Sequence, residues 1–361
     1  MIRLCSTVLF ALAVLLSGCD HIPTPFPTPG SWQTLRTFTE TPLFLVTVNG
    51  QLLAGLGSSD PADRGGFKRL VSFDPVTGNL TEKAPFPGVA VRNFYYFVLN
   101  NKLYAGLGTS PETNPTNATI ELYNPDSYVY DPTTNSWQQI SRPPFNSGSD
   151  GLPRLAGATA FTYGNKGILL YGTYRFASLN SFTIPLDGAA YTEAAGWAAN
   201  TTTLFPTPVF STPNDGSQLL LFTRSVYRRG GFGFVLNDRI YTGGGDLPPS
   251  LSLVGLSADR FSREMWGFTV TEKADGKALN LTLQEKLTTP SADINLAFAS
   301  QAFVLGNKAY IIGGLDGSLI RFVPNEFTKI SNVPEALRFG TGLNGKAYFL
   351  SQNKLLVYQP E

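Results

Sequence analysis

Val129-Tyr130-Asp131-Pro132-Thr133-Thr134-Asn135-Ser136-Trp137-Gln138-Gln139-Ile140 reads as an apolar strand end, a tight turn and a second strand. The two ends of the chain carry the same phrase in two pieces. The chain finishes Lys354-Leu355-Leu356-Val357-Tyr358-Gln359-Pro360-Glu361, and near its start stands Ser31-Trp32-Gln33-Thr34-Leu35. One structural unit is therefore divided, with its last strand at the start of the chain and its first three at the end. A closed ring of repeated β-sheets fastens itself in this way, because pairing the two end strands leaves no open edge.

The body between these pieces repeats. An apolar strand runs into a tight turn at Val48-Asn49-Gly50, Leu99-Asn100-Asn101, Tyr163-Gly164-Asn165, Leu236-Asn237-Asp238, Leu305-Gly306-Asn307 and Leu343-Asn344-Gly345. Asn and Gly tolerate the positive φ of a two-residue hairpin, so each is a hairpin signal. A second strand follows, and in most units it closes on glycine, as in Ala54-Gly55-Leu56-Gly57, Thr242-Gly243-Gly244-Gly245 and Ile312-Gly313-Gly314. The outer half of each unit is looser. Phe73 to Leu80 and Tyr130 to Trp137 are its clear copies, and Val209 to Gly216 is a degenerate one in the third unit. Met265 to Val270 and Leu319 to Pro324 occupy the same slot in the fourth and fifth.

Paired glycines closing the second strand, then a Tyr and a Trp about six residues apart, resemble the repeats of kelch-type β-propellers. The resemblance covers residues 31–361. It implies an all-β fold, a six-bladed propeller closed by its N- and C-terminal strands, with blades at 43–90, 91–150, 151–228, 229–291, 292–336 and 337–361 plus 31–42. The third unit is the longest. Residues 174–204 read as a loop-rich excursion with short strands, and a blade there would make seven.

Composition agrees with this class and narrows the chemistry. Only 15% of residues are charged, while Gly (36), Pro (26) and aromatics (12%) are abundant, which favours sheet and turn over helix. A net charge of +1 without a basic cluster gives no electrostatic footprint for nucleic acid. The cysteines are Cys5 and Cys19 and the histidine is His21, all ahead of the repeats. The repeat body thus lacks thiol and imidazole, which excludes Ser-His-Asp and Cys-His catalysis, disulfides and zinc, copper or haem ligation by those groups. Neither a metal nor a cofactor is expected. Redox chemistry of the galactose-oxidase kind has no copper ligands here.

The first thirty residues read as an address and a tether. Arg3 precedes the apolar run Val8 to Leu16, then Leu16-Ser17-Gly18-Cys19. This has the layout of a secretory signal, and the run is shorter than the ~20 residues that span a bilayer. Its last four residues resemble the lipobox of bacterial lipoproteins. That resemblance implies a signal peptide over 1–18, a lipid on Cys19 and a body held at the cell envelope on an extracytoplasmic face. Residues 19–30, with proline at every second position from Pro23 to Pro29, read as an extended spacer.

Two sets of residues are candidates for a site. Arg92, Arg154, Arg229 and Arg338 each stand just before the first strand of a unit, where inward side chains would ring one mouth of the channel. A guanidinium fork suits carboxylate or phosphate, although such arginines also bond carbonyls of the preceding loop. Around the third and fourth units, Arg224, Tyr227, Arg228, Asp246, Asp259, Arg260, Arg263 and Glu264 form a polar group. Glu264 is the candidate acid–base carboxylate there. The expected function is an anchored binding module for a glycan or protein partner. The alternative is a metal-independent sugar enzyme similar to the sialic-acid mutarotases, which are kelch-like six-bladed propellers.

Overall fold

The structure, a computed structural model, describes residues 28–60, 65–113, 119–145, 155–170, 188–203, 229–246, 263–296, 299, 301–313 and 316–361. The first strand, β1 (Trp32–Thr37), does not join the strand that follows it. Blade 1 is β2 (Pro42–Val48), β3 (Gln51–Gly57), β4 (Phe67–Phe73) and β5 (Leu80–Glu82). Blade 2 is β6 (Tyr95–Leu99), β7 (Lys102–Gly106), β10 (Ser127–Asp131) and β11 (Ser136–Ile140), with the hairpin β8 (Thr109–Thr113) and β9 (Thr119–Tyr123) inserted midway. Blade 3 is β12 (Thr159–Tyr163), β13 (Lys166–Leu170), β14 (Ala189–Thr192) and β15 (Gly196–Ala199). Blade 4 is β17 (Arg229–Leu236), β18 (Arg239–Asp246), β19 (Glu264–Glu272) and β20 (Leu279–Thr288), with β16 (Thr201–Thr203) added in parallel to β20. Blade 5 is β21 (Gln301–Leu305), β22 (Lys308–Gly313), β23 (Ser318–Val323) and β24 (Glu326–Ile330).

Blade 6 consists of β25 (Phe339–Leu343), β26 (Lys346–Leu350), β27 (Lys354–Tyr358) and then β1. The divided unit is joined as its sequence predicts. Trp32 lies opposite Tyr358 in the antiparallel pair, and their rings sit 4.7 Å apart. The Trp32 indole also donates to Asn332 Oδ1 at 3.3 Å, and the Gly30 amide donates to the Gln359 carbonyl at 2.8 Å. The inner strands β2, β6, β12, β17, β21 and β25 touch one another in succession, and β25 returns to β2. The result is a six-bladed all-β propeller.

The hairpin turns follow their residues. Asn49-Gly50, Asn100-Asn101, Asn237-Asp238 and Asn344-Gly345 have positive φ at both central positions, the type I′ pattern. Gly164-Asn165 and Gly306-Asn307 have it only at the leading glycine, as type II′ requires.

Each blade is apolar on both faces because each is covered twice. The core divides into six clusters, one per blade–blade interface. Along β2, Phe44, Val46 and Val48 pack toward blade 2, whereas Leu45 packs toward blade 6. A single blade would expose one such set to water, so the ring is stable only as a whole.

The third blade corrects the sequence reading. Val209 to Gly216 lies outside the described residues, and the outer strands of blade 3 are β14 and β15, inside the 174–204 excursion. Tyr191 on β14 and Trp197 on β15 are cross-strand partners with ring centroids 5.1 Å apart. Tyr130 and Trp137 in blade 2 make the same pair at 5.2 Å. This third copy went unread because a long connection from Leu170 to Ala189 separates it from its inner hairpin.

Candidate functional site at the channel mouth

Every inner strand runs from one end of the ring to its hairpin turn at the other. The end where these strands begin opens into a central cavity of about 1020 Å³ lined by all six of them. The connections between second and third strands also leave and return on this face.

Several polar side chains in the wall hold blades together. Gln301 in blade 5 donates to the Gly340 carbonyl at 3.0 Å and accepts from the Gly340 amide at 2.8 Å, tying it to blade 6. Thr47 in blade 1 donates to the Gly342 carbonyl at 2.9 Å, and the Thr162 hydroxyl in blade 3 donates to the Val98 carbonyl in blade 2. At the rim, the Gly157 amide donates to the Asn93 carbonyl and the Gly230 amide to the Gly157 carbonyl, each at 2.7 Å. Neither the glutamine clamp nor the threonine bonds were read from the sequence. The available signal was a polar residue breaking an otherwise apolar inner strand.

Two of the predicted arginines stand in this wall and are differently placed. Arg92 is exposed, while its backbone exchanges hydrogen bonds of 2.7 and 2.8 Å with Thr109 at the base of the β8–β9 hairpin. Arg338 is exposed as well. Its amide donates to Leu350 at 2.8 Å, and its guanidinium lies 5.5 Å from the centroid of the Phe339 ring. Among the described residues neither guanidinium has a carboxylate or carbonyl partner, so the alternative role of bonding the preceding loop is not what holds them. Arg229 begins β17, opposite Asp246 in the strand register, but its side chain lies outside the described residues. Arg154 lies outside them altogether.

A second ring of cations, at the opposite end, sets the contrast. The first residue after each hairpin turn is Lys102, Lys166, Arg239, Lys308 or Lys346 in blades 2 to 6. All five are engaged. Lys102 pairs with Glu193 at 3.4 Å, Lys166 with Glu272 at 2.7 Å and Arg239 with Glu285 at 2.8 Å. Lys308 donates to the Glu361 carbonyl at 3.1 Å, and Lys346 is also partnered. Among the described side chains of the two sets, those of Arg92 and Arg338 are therefore the ones open to an external anion.

The rest of the wall is apolar or aromatic, including Leu43, Phe94, Tyr96, Val98 and Val304. The described lining residues include no carboxylate. Burial pushes the phenols of Tyr95 and Tyr96 well above the usual tyrosine range; Tyr95 packs into the core between blades 2 and 3, and Tyr96 packs on Phe44 with ring centroids 5.0 Å apart. A wall of this kind accepts a sugar ring or an aliphatic surface, with two guanidinium forks at the rim for a charged group.

The structure separates Glu264 from this cavity. It begins β19, is 5% exposed, and its Oε1 pairs with Lys286, whose ammonium sits 5.3 Å from the centroid of the Trp266 ring. Its position on a third strand points it between blades 4 and 3, so the sequence grouped it with the mouth only by proximity along the chain. Arg263 is likewise structural: Nη2 donates to the Thr289 carbonyl and Nε to its hydroxyl at 3.3 Å. Arg224, Tyr227, Arg228, Asp259 and Arg260 lie outside the described residues, as does Cys19.

No family model matches the chain. It is 32% identical over 154 residues to the kelch-like protein terF of Aspergillus terreus, covering 39% of this chain and 32% of that protein. It is 29% identical over 136 residues to a kelch domain-containing protein of Vibrio cholerae, covering 37% of this chain and 34% of that one. The matched stretch thus spans about a third of each relative's length. Among solved structures, that titled "Structure of YjhT" superposes with a TM-score of 0.56 over 90% of this chain and 94% of its own, at 14% identity. With the strand order, the closure through both chain ends and these likenesses together, the chain is a six-bladed β-propeller of the kelch type.

Proposed function

We propose that this protein is an envelope-anchored binding module, lipidated on Cys19, whose channel mouth takes the anionic group of a glycan or protein partner. The observation that carries the reading is the state of its cations. Arg92 and Arg338 stand exposed in the wall with no carboxylate or carbonyl partner among the described residues, while the corresponding cations at the far end are all engaged. Guanidinium forks recognise carboxylate and phosphate in two-point contact, and the aromatic wall supplies a stacking surface. Ligand binding where loops from several blades converge also accords with the kelch-type fold.

A metal-independent sugar enzyme similar to the sialic-acid mutarotases is the second reading. The same arginines support it, since such a substrate carries a carboxylate. The absence of a carboxylate from the described wall, with Glu264 between blades, favours binding over acid–base turnover. Retention of acidic glycans on the immobilised protein, with the anomeric exchange of free sialic acid followed by NMR, tests the choice. Retention without accelerated exchange is expected; acceleration that survives Glu264→Gln and is lost in Arg92→Ala would overturn it in favour of the enzyme.

A further inference from the structure

We infer that the chain enters the propeller on the face opposite the arginine mouth, so that an anchor at Cys19 holds the mouth away from the bilayer. The inference rests on the anchored reading of the N-terminus for its membrane, and on strand polarity for its direction.

The polarity follows from register. First strands descend from the mouth to the hairpin turn, second strands return, third strands descend and fourth strands start at the far end. β1 is a fourth strand. Its Trp32 pairs with Tyr358, and Tyr358 pairs with Ala347, two residues beyond the turn glycine Gly345. At its other end Thr37 pairs with Lys354, near where blade 6 meets the mouth. The segment just ahead of β1 is tied to the same far face. Gly30 donates to Gln359, and the Glu361 carbonyl accepts from Lys308 in the first turn of blade 5. Asn332, which follows β24 on the outer edge of blade 5, donates from Nδ2 to the Gly30 carbonyl at 2.7 Å and ties the segment to that edge.

Length limits the alternatives. Thr28 is nine positions beyond Cys19, and at ~3.1 Å per position a proline-rich spacer reaches about 28 Å. An inner strand of five to seven residues rises about 20 Å at ~3.3 Å per residue. To turn the mouth toward the lipid, the spacer has to lie extended up the flank of the ring, with little length left to cross the rim. Leaving directly from the far face needs no such path.

The test uses the full lipidated chain in phosphatidylcholine vesicles that carry an acceptor dye on a fraction of headgroups. With Cys19 consumed by the lipid, the mature chain has no other thiol, so one introduced cysteine labels uniquely. Ser59→Cys places a donor dye on the exposed β3–β4 connection at the mouth face. Val76→Cys places it on the opposite end of the same blade, where the side chain is 63% exposed. Energy transfer to the headgroups is expected to be at least twofold higher from Val76→Cys than from Ser59→Cys. Equal or reversed transfer from chains that float with the vesicles overturns the orientation alone. Chains that do not float, or that float as well with Cys19→Ala, overturn the anchor and the orientation with it.

Discussion

Replacing Trp32 by alanine tests whether the ring is held by its two ends. The indole packs against Tyr358 and Phe349 with centroids 4.7 and 5.2 Å away, and its N–H reaches Asn332 at 3.3 Å. Truncating a fully buried tryptophan costs about 3–5 kcal/mol. Trp32 is only partly buried, which lowers the transfer contribution, while the aromatic contacts and one hydrogen bond are lost entirely. A cost of about 3 kcal/mol follows, equivalent to a fall in Tm of roughly 4 °C for a domain of this size. Because β1 closes the ring, the loss is expected to lower the main calorimetric transition and to accelerate amide exchange in β25 and β2 as well as in β1. Trp137→Ala, the equivalent change inside blade 2, serves as the reference for local cost. Fraying of β1 alone, with the main transition moved by less than about 1 °C, would refute the closure argument.

Gln301→Ala removes both halves of the clamp on Gly340 and leaves a buried amide and carbonyl, so urea denaturation should show a loss of about 1–3 kcal/mol. Gly244→Ala should cost about 3 kcal/mol by the same assay, because Gly244 has φ +66° and an added Cβ would sit 2.1 Å from the Ala299 carbonyl oxygen. Tyr104 donates a 2.8 Å hydrogen bond to Glu193, and that bond, ahead of the charge on Lys102, holds the carboxyl below its usual range. A carboxyl lowered on folding contributes stability above its unfolded pKa of about 4.3, and the contribution fades as pH falls through the folded value. Tyr104→Phe is therefore expected to lose less Tm than the parent between neutral pH and pH of about 3, as read by circular dichroism; an unchanged difference would count against the bond.

Much of this architecture was legible because its determinants are local. Asn or Gly at each hairpin fixes the turn type, and the split phrase around Tyr358 and Trp32 carries its own pairing. Blade 3 was read poorly for the opposite reason. Tyr191 and Trp197 match the repeat, yet the connection before them removes the spacing cue that identified Tyr130 and Trp137. At the site, the arginines are visible as a blade-period feature, but their freedom is not. Whether a cation at a given register is paired depends on partners from other strands or blades, as Glu272 is for Lys166 and Glu193 for Lys102. Glu264 illustrates the converse: nearness in sequence to a polar loop says little about which face of a strand a side chain takes.

The proposed function requires that the Arg92 and Arg338 guanidinia at the mouth recognise an anion. Its most direct test compares the protein with Arg92→Ala/Arg338→Ala on an array of carboxylated glycans and their methyl esters, at low and high salt. Both side chains are exposed, with no carboxylate or carbonyl partner among the described residues, so the double variant should melt within about 1 °C of the parent. Charge-assisted hydrogen bonds contribute about 1.5–3 kcal/mol each, so its affinity for the acids should fall at least tenfold. The parent should prefer acids to esters, and less so at high salt. Equal binding by parent and variant, or a parent that favours the esters, would contradict the claim.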